Sequence, residues 1–143
     1  YQWSVGNADF YIKVLMSIYN EIADQEMPTM GINRTYFRDA LLEHASSKLV
    51  ESWYNLLNQY SSNYMNSEIL NQTLEIIGSY SCWIDINQTF SQRFVEYFSF
   101  SLNQTSLREA TLVCLKEIVN KRMDVQPKLD LIDELLSLIH ISE

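Results

Sequence analysis

Apolar residues recur along most of the chain at intervals of three and four, the spacing of one face of an α-helix. The first such segment runs from about Ala8 to Glu26. Its predicted inward stripe consists of Phe10, Val14, Leu15, Ile18 and Ile22. The following segment, MPTMG at Met27–Gly31, interrupts the pattern, because Pro and Gly disfavour a helix interior. The whole pattern predicts five to seven helices and no strands.

The remaining helices are predicted over about Asn33–Tyr60, Ser67–Trp83, Phe90–Leu102, Ser106–Lys121 and Lys128–Ile141. We expect a kink or a break where the first of these contains the tetrapeptide ASSK, at residues 45–48. The pentapeptide DINQT, at residues 85–89, is expected to form a turn. The buried face of the helix over residues 106–121 is predicted from its apolar stripe: Leu112, Leu115, Ile118 and Val119.

A shift of 41 residues superimposes the chain on itself, so that Leu49 falls on Phe90 and Trp53 on Phe94. Two helices per unit with a period near 40 residues are typical of HEAT or armadillo repeats. We therefore predict an all-α fold, an α-solenoid of HEAT-type antiparallel helix pairs. Residues 1–143 would form a single segment of such an array, in which stacked units share one core. A plain helical bundle without a superhelix is the alternative.

The charge of the chain narrows the class of partner. Lys and Arg number 10 against 18 Asp and Glu, which gives a formal net charge of −8. Such a chain is a poor free-standing nucleic-acid binder, because phosphate contacts require clustered cations. A basic protein partner, or a local cationic patch on an acidic body, is compatible with this charge.

Residues with catalytic or metal-binding chemistry are sparse. His44 and His140 are the only histidines, and Cys82 and Cys114 form no CxxC pair. The acidic residues of the last helix are expected on a solvated face: Asp130, Asp133 and Glu134. We therefore expect no enzyme activity, no metal, no cofactor, and two buried, reduced thiols. No apolar run is long enough to span a membrane, so we expect no membrane partner.

Positive charge is concentrated around the end of one predicted helix, at Lys116, Lys121, Arg122 and Lys128. The simple interpretation is favourable charge at a helix C-terminus, followed by a solvated turn. The functional interpretation is a patch that contacts phosphates on the inner surface of an arch. A second, weaker group consists of Arg34 and Arg38, one helical turn apart.

Three motifs resemble, in order and spacing, the exportin-t family of tRNA exportins. They are LVESWYNLLNQY at Leu49–Tyr60, LEIIGSYSCWIDI at Leu74–Ile86 and CLKEIVNKRMD at Cys114–Asp124. The stretch Asp9–Met27 is similar to the segment that precedes these motifs in that family. The resemblance covers nearly the whole chain and implies a piece from the amino-terminal half of a much longer protein. The first residue, Tyr1 rather than Met, also favours an excised fragment.

This family belongs to the importin-β-like karyopherins, which are built from HEAT repeats. The resemblance implies a nuclear export receptor that binds mature tRNA cooperatively with the GTP-bound form of the GTPase Ran. It further implies contact with nuclear pore components and shuttling between nucleus and cytoplasm. The six cations named above are then candidate contacts with tRNA phosphates or an acidic partner. The alternative is a HEAT-repeat scaffold that binds proteins and no RNA.

Overall fold

The structure, a computed structural model, describes residues 2–23, 31–62 and 65–142, and the side chains of residues 31–34, 141 and 142 are not described. The described residues contain no strand and form seven helices: α1 (Val5–Ala23), α2 (Gly31–Ser62), α3 (Ser67–Tyr80), α4 (Ile86–Thr89), α5 (Gln92–Leu102), α6 (Arg108–Val119) and α7 (Val125–Ser142). The predicted all-α fold is confirmed. The predicted break over residues 27–31 lies outside the described residues except for Gly31, which begins α2.

The helices form two layers, and successive long helices lie in opposite layers. One layer contains α1, α3 and α6, in which α3 contacts both α1 and α6. The other layer contains α2, the short α4, α5 and α7, with contacts between α2 and α4 and between α5 and α7. Across the layers, α2 packs on α3 and α5 packs on α6.

Long-range hydrogen bonds show that α3 and α6 run parallel within their layer. At their beginnings, the Ser67 hydroxyl donates to the Ser106 hydroxyl at 3.1 Å. Beyond their ends, Lys121 Nζ donates to the Ser81 carbonyl at 3.1 Å. Since the beginnings meet the beginnings and the ends meet the ends, the two helices point in the same direction.

Helices in opposite layers run antiparallel. The end of α2 and the start of α3 are close in sequence. The rings of Trp53, in the body of α2, and Tyr80, at the end of α3, lie 5.5 Å apart. Helix α3 therefore runs back along α2 in the opposite direction. Near the other junction, the Thr111 hydroxyl of α6 donates to the Ser101 hydroxyl of α5 at 2.8 Å. Parallel helices within a layer and antiparallel pairs between layers are the architecture of an α-solenoid, so this prediction is confirmed.

One continuous apolar core lies between the layers. Three sets of positions that the 41-residue shift superimposes are buried throughout: Leu49, Phe90 and Leu131; Trp53, Phe94 and Leu135; and Leu56, Tyr97 and Leu138. This agreement is necessary for a repeat. It does not establish the period, because every packed helix buries a stripe of this kind. The period of about 41 residues stays a prediction.

The predicted inward stripe of α1 was partly wrong. Leu15 is buried as expected, but the buried residues that accompany it are Ala8 and Ile12. Phe10 is 70% exposed and Val14 is also exposed. The reason is that α1 packs along the side that faces α3, where the Tyr80 hydroxyl donates to the Leu15 carbonyl at 2.6 Å.

The predicted face of α6 also needs a correction. Leu115 and Ile118 are buried and Val119 is partly buried, but Leu112 is 46% exposed. The helix is rotated so that Cys114 faces α3, where a Cβ atom on Gly78 would lie only 3.2 Å from the Cys114 Cα. This close packing between backbones, and not the apolar stripe alone, fixes the orientation of α6.

Two predicted interruptions have a different form in the structure. No break occurs at residues 45–48, because α2 continues through them as one helix of 32 residues. The predicted turn at residues 85–89 contains the short helix α4. Asp85 caps α4, since its Oδ1 accepts a hydrogen bond from the Asn87 amide at 2.8 Å.

Candidate nucleic-acid and partner interface

The candidate cations of the second half of the chain lie around the carboxyl-terminal end of α3. Lys121, in the turn after α6, donates from Nζ to the carbonyls of Ser81 at 3.1 Å and of Cys82 at 3.3 Å. These carbonyls follow the last residue of α3 and have no helical partner. A positive charge at this end of a helix is favourable. Lys121 therefore joins the α6–α7 turn to α3.

Lys128, on the first turns of α7, has the same role at the end of α6. Its Nζ donates to the carbonyl of Val119 and to that of Lys121, the latter at 2.7 Å. Both lysines are thus engaged in hydrogen bonds that hold the ends of neighbouring helices together. The simple interpretation of charge at a helix C-terminus describes these two residues.

Lys116 and Arg122 differ from these lysines. Lys116 lies in the last turn of α6, Arg122 lies in the turn that follows, and both side chains are exposed. Neither makes a hydrogen bond or an ion pair with another residue of the described ranges. They are therefore the cations of this group that are available to an external anion.

The structure brings Arg38 of α2 to the same end of α3. Cys82 is exposed as a residue, but partial burial of its thiol raises the thiol's pKa, and the positive charges of Lys121 and Arg38 both act against this increase. Arg38 is partly engaged, since its guanidinium forms an ion pair with Asp39 at 3.1 Å. Arg34 lies one turn earlier on α2, and its side chain is outside the described residues. One cation from each of the two groups predicted separately, Lys121 and Arg38, thus acts on Cys82.

Negative charge also reaches this end of the molecule. Glu117, exposed on α6, raises the pKa of the Cys82 thiol, an effect opposite to that of the cations. Asp124, the residue immediately before α7, is exposed as well. The cluster is therefore a mixed surface in which the position of each cation matters, and not a uniform basic patch.

The expectation of two buried thiols was right for Cys114 and wrong for Cys82. Cys82 is exposed because it lies in the turn after α3, and both cysteines are free. Burial raises the pKa of the Cys114 thiol well above its ordinary value. Within the described ranges, no three His, Cys, Asp or Glu side chains are placed to hold a metal ion. No helix among the same residues has the length and apolar character required to cross a membrane.

Arg93, which no sequence pattern indicated, forms a second site in the other layer. Its guanidinium carbon lies 4.4 Å above the Tyr54 ring, and it pairs with Glu51 at 2.7 Å. A groove of about 310 Å³ between α2 and α5 is lined by Tyr54, Arg93 and Phe100, among others. Tyr54 and Arg93 are separated in sequence by the length of a helix pair, so no local spacing indicates their contact.

Two alternating layers of antiparallel helix pairs, with polar side chains joining successive units, define a helical solenoid. The chain belongs to the Exportin 1-like protein family, whose model matches residues 2–115. This match covers two of the three sequence motifs, and similarity to Exportin-T proteins confirms the resemblance that the motifs indicated.

Individual relatives cover nearly the whole chain. Exportin-T of Mus musculus is 36% identical over 135 residues, which are 92% of this chain and 14% of that protein. Exportin-T of Danio rerio is 35% identical over 137 residues, 94% of this chain and 14% of the relative. Exportin-T of Dictyostelium discoideum is 33% identical over 137 residues, with 92% and 12% covered. The chain thus spans about one seventh of the length of these relatives.

Proposed function

We propose that this chain is part of a nuclear export receptor that binds mature tRNA together with Ran-GTP and carries it to the cytoplasm. The observation that carries the proposal is the similarity to Exportin-T over 92% of the chain. The solenoid fold supports it, because stacked helix pairs offer the extended surface that a large, folded cargo requires. The receptor would contact nuclear pore components and shuttle between nucleus and cytoplasm.

Within this function, Lys116 and Arg122 are the proposed contacts with tRNA phosphates. Structured RNA is recognised largely by its shape and backbone, so a few exposed cations at fixed positions suit this role. Lys121 and Lys128 would keep the α6–α7 turn in place through their carbonyl contacts. Arg38, with Arg34 beside it on α2, would extend the surface across the end of α3.

A second candidate function, a scaffold that binds proteins and no RNA, is favoured by the scarcity of free cations. Of the nine Lys and Arg side chains that the structure describes, six donate to carbonyls or pair with carboxylates. Lys48, Lys116 and Arg122 are the remaining three. Against a net charge of −8, this is a small number for an RNA surface.

The affinity of the full-length parent protein for tRNA, measured with and without Ran-GTP at physiological salt, tests both functions. The export proposal expects strong tRNA binding in the presence of Ran-GTP and weak binding in its absence, since the two ligands would be thermodynamically coupled. Absence of tRNA binding in both states would overturn it and leave the protein scaffold.

A further inference from the structure

A groove of about 420 Å³ lies between the amino-terminal halves of α3 and α6, away from the cation cluster at their other ends. Asn71, Gln72 and Glu75 line it from α3. Glu109 and Val113 line it from α6, together with Ala110 and two hydroxyl residues of the preceding turn. Because α3 and α6 are parallel, the groove is a fixed feature of their packing.

The polar atoms of this groove are mainly hydrogen-bond acceptors. The Asn71 Oδ1 and Gln72 Oε1 atoms are buried, and neither accepts a hydrogen bond from the described residues. The Asn71 amide nitrogen donates to the Ser106 carbonyl at 3.3 Å, so its oxygen remains as the unused acceptor. Buried acceptors without a donor are unfavourable. Both oxygens are shielded from solvent but belong to only partly buried side chains, so a donor-rich ligand would reach them by a rotation of these side chains and would relieve this cost.

The negative charge of the groove also favours a cationic, donor-rich ligand. Glu75 and Glu109 are exposed, and no ion pair among the described residues involves either carboxylate. No Lys or Arg is present among the residues that line the groove. Val113, which is 49% exposed, adds an apolar surface beside the carboxylates.

From these contacts we propose that the α3–α6 groove binds an arginine or lysine side chain from a basic segment of a protein partner. A guanidinium carries five N–H donors and no acceptor, which matches two amide oxygens and two carboxylates. Its aliphatic stem can lie on Val113 while the charged end reaches the acidic residues. A phosphate is excluded, because the same carboxylates repel it. The two ends of this layer therefore bind ligands of opposite charge.

The test is a titration of the ¹⁵N-labelled 143-residue chain with an acetylated and amidated tetra-arginine peptide, followed by NMR. We expect the shifted resonances to centre on the side-chain amides of Asn71 and Gln72 and the backbone amide of Val113. The double variant Glu75→Gln/Glu109→Gln should bind about fivefold more weakly or worse, as expected for two exposed ion pairs.

The control is Asp133→Asn/Glu134→Gln, which removes two negative charges from exposed positions of α7 and should bind as the parent does. Equal weakening in both double variants, or shifts centred elsewhere, would overturn the proposal. Val113→Trp fills the groove without a change of charge and should abolish binding, and a folded Val113→Trp variant that keeps full affinity would also overturn it. No tRNA is used, so failure here leaves the export proposal unaffected.

Discussion

At the scale of single residues, hydrogen bonding divides the candidate cations into two kinds. Lys121 and Lys128 are donors to main-chain carbonyls at helix ends, whereas Lys116 and Arg122 are exposed without such partners. The sequence places all four close together and does not distinguish them. Substitutions at the two kinds of position should consequently affect different properties, stability in the first case and ligand binding in the second.

Replacing Lys121 with Met should lower stability, because the carbonyls of Ser81 and Cys82 lose their donor. For a partly exposed site we expect a loss of about 1 kcal/mol in the free energy of unfolding. Urea denaturation followed by circular dichroism measures it. Lys116→Met is the matched control and should leave the transition unchanged. A Lys121→Met variant as stable as the parent would show that these hydrogen bonds contribute nothing net.

Leu115→Asp should unfold the chain, since Leu115 is 4% exposed and a buried, unpaired carboxylate costs several kcal/mol. Leu112→Asp makes the same chemical change three residues earlier, where the side chain is 46% exposed. We expect this second variant to remain folded with a nearly unchanged melting temperature. Thermal melts of the two proteins therefore test the orientation of α6. Comparable destabilisation by both variants would support the face predicted from the apolar stripe, which places Leu112 as well as Leu115 in the core.

Tyr97 should make stability depend on pH in the alkaline range. Burial is the main cause that raises the pKa of Tyr97 to about 12 from an ordinary value of 10.0, and its hydrogen bond with Ser61 acts in the opposite direction. Above pH 10 the unfolded chain loses the phenol proton first, so the contribution to stability is complete below pH 10 and is lost as pH rises towards 12. At pH 11 this loss amounts to about 1 kcal/mol.

Urea denaturation of the parent and of Tyr97→Phe between pH 9 and pH 11 measures this effect. The stability of the parent relative to the variant should decrease over that interval, whatever the cost of losing the Ser61 hydrogen bond. Tyr36→Phe, at a residue that is 77% exposed, is the control. A difference between parent and Tyr97→Phe that does not change with pH would contradict the expected direction.

How well the sequence predicts a residue depends on where its partners lie. The buried positions of α7, Leu131, Leu135 and Leu138, follow from helical spacing, because α7 has a clear inward stripe. Helix α6 has apolar residues on several sides, so its spacing does not define one face and Leu112 was placed wrongly. The partner of Lys121 is a carbonyl 40 residues earlier, which no local pattern indicates.

At the scale of helices, α3 and α6 pack closely against each other at Gly78. A Cβ atom placed on Gly78 would lie 3.2 Å from the Cys114 Cα. The main chains of α3 and α6 therefore lie in close contact at this point. A glycine inside a helix normally lowers helix stability. Here its small size permits the contact that sets the position of α6, and with it the position of Lys116 and Lys121.

Gly78→Leu should therefore be destabilising by about 1–3 kcal/mol, the usual cost of forcing extra atoms into a packed contact. Gly6→Leu is the matched control, because no atom lies within 4 Å of a Cβ built on Gly6 in α1. We expect Gly6→Leu to be neutral or slightly stabilising, since Leu favours the helix more than Gly does. Differential scanning calorimetry compares the two, and equal melting temperatures would show that α3 and α6 separate easily.

At the scale of the whole molecule, the sequence predicts the class of fold but not the position of its surfaces. Helical spacing and scarce Gly and Pro are sufficient to indicate stacked helices. The joint action of Arg38 and Lys121 on Cys82, and the groove between Asn71 and Glu109, depend on which helices become neighbours. That information is carried by contacts between distant residues, such as Asn71 with Ser106 and Lys121 with Ser81, which a single sequence does not display.

The exposed cations Lys116 and Arg122 lie at the carboxyl-terminal ends of α3 and α6, whereas the acidic groove lies between their amino-terminal halves. This separation of charge leads to a prediction on tRNA binding by the full-length parent. If Lys116 and Arg122 each contact a phosphate, Lys116→Gln/Arg122→Gln should weaken binding at low salt. It should also lower the steepness of log affinity against log salt concentration by about 0.7–0.9 per lost contact.

The charge-matched control is Lys13→Gln/Lys48→Gln, at exposed positions outside the cluster. We expect this control to keep the parent's salt dependence, because counterion release depends on which phosphates are contacted and not on the total charge of the protein. An equal decrease in both variants would assign the effect to net charge and would remove Lys116 and Arg122 from the proposed contacts.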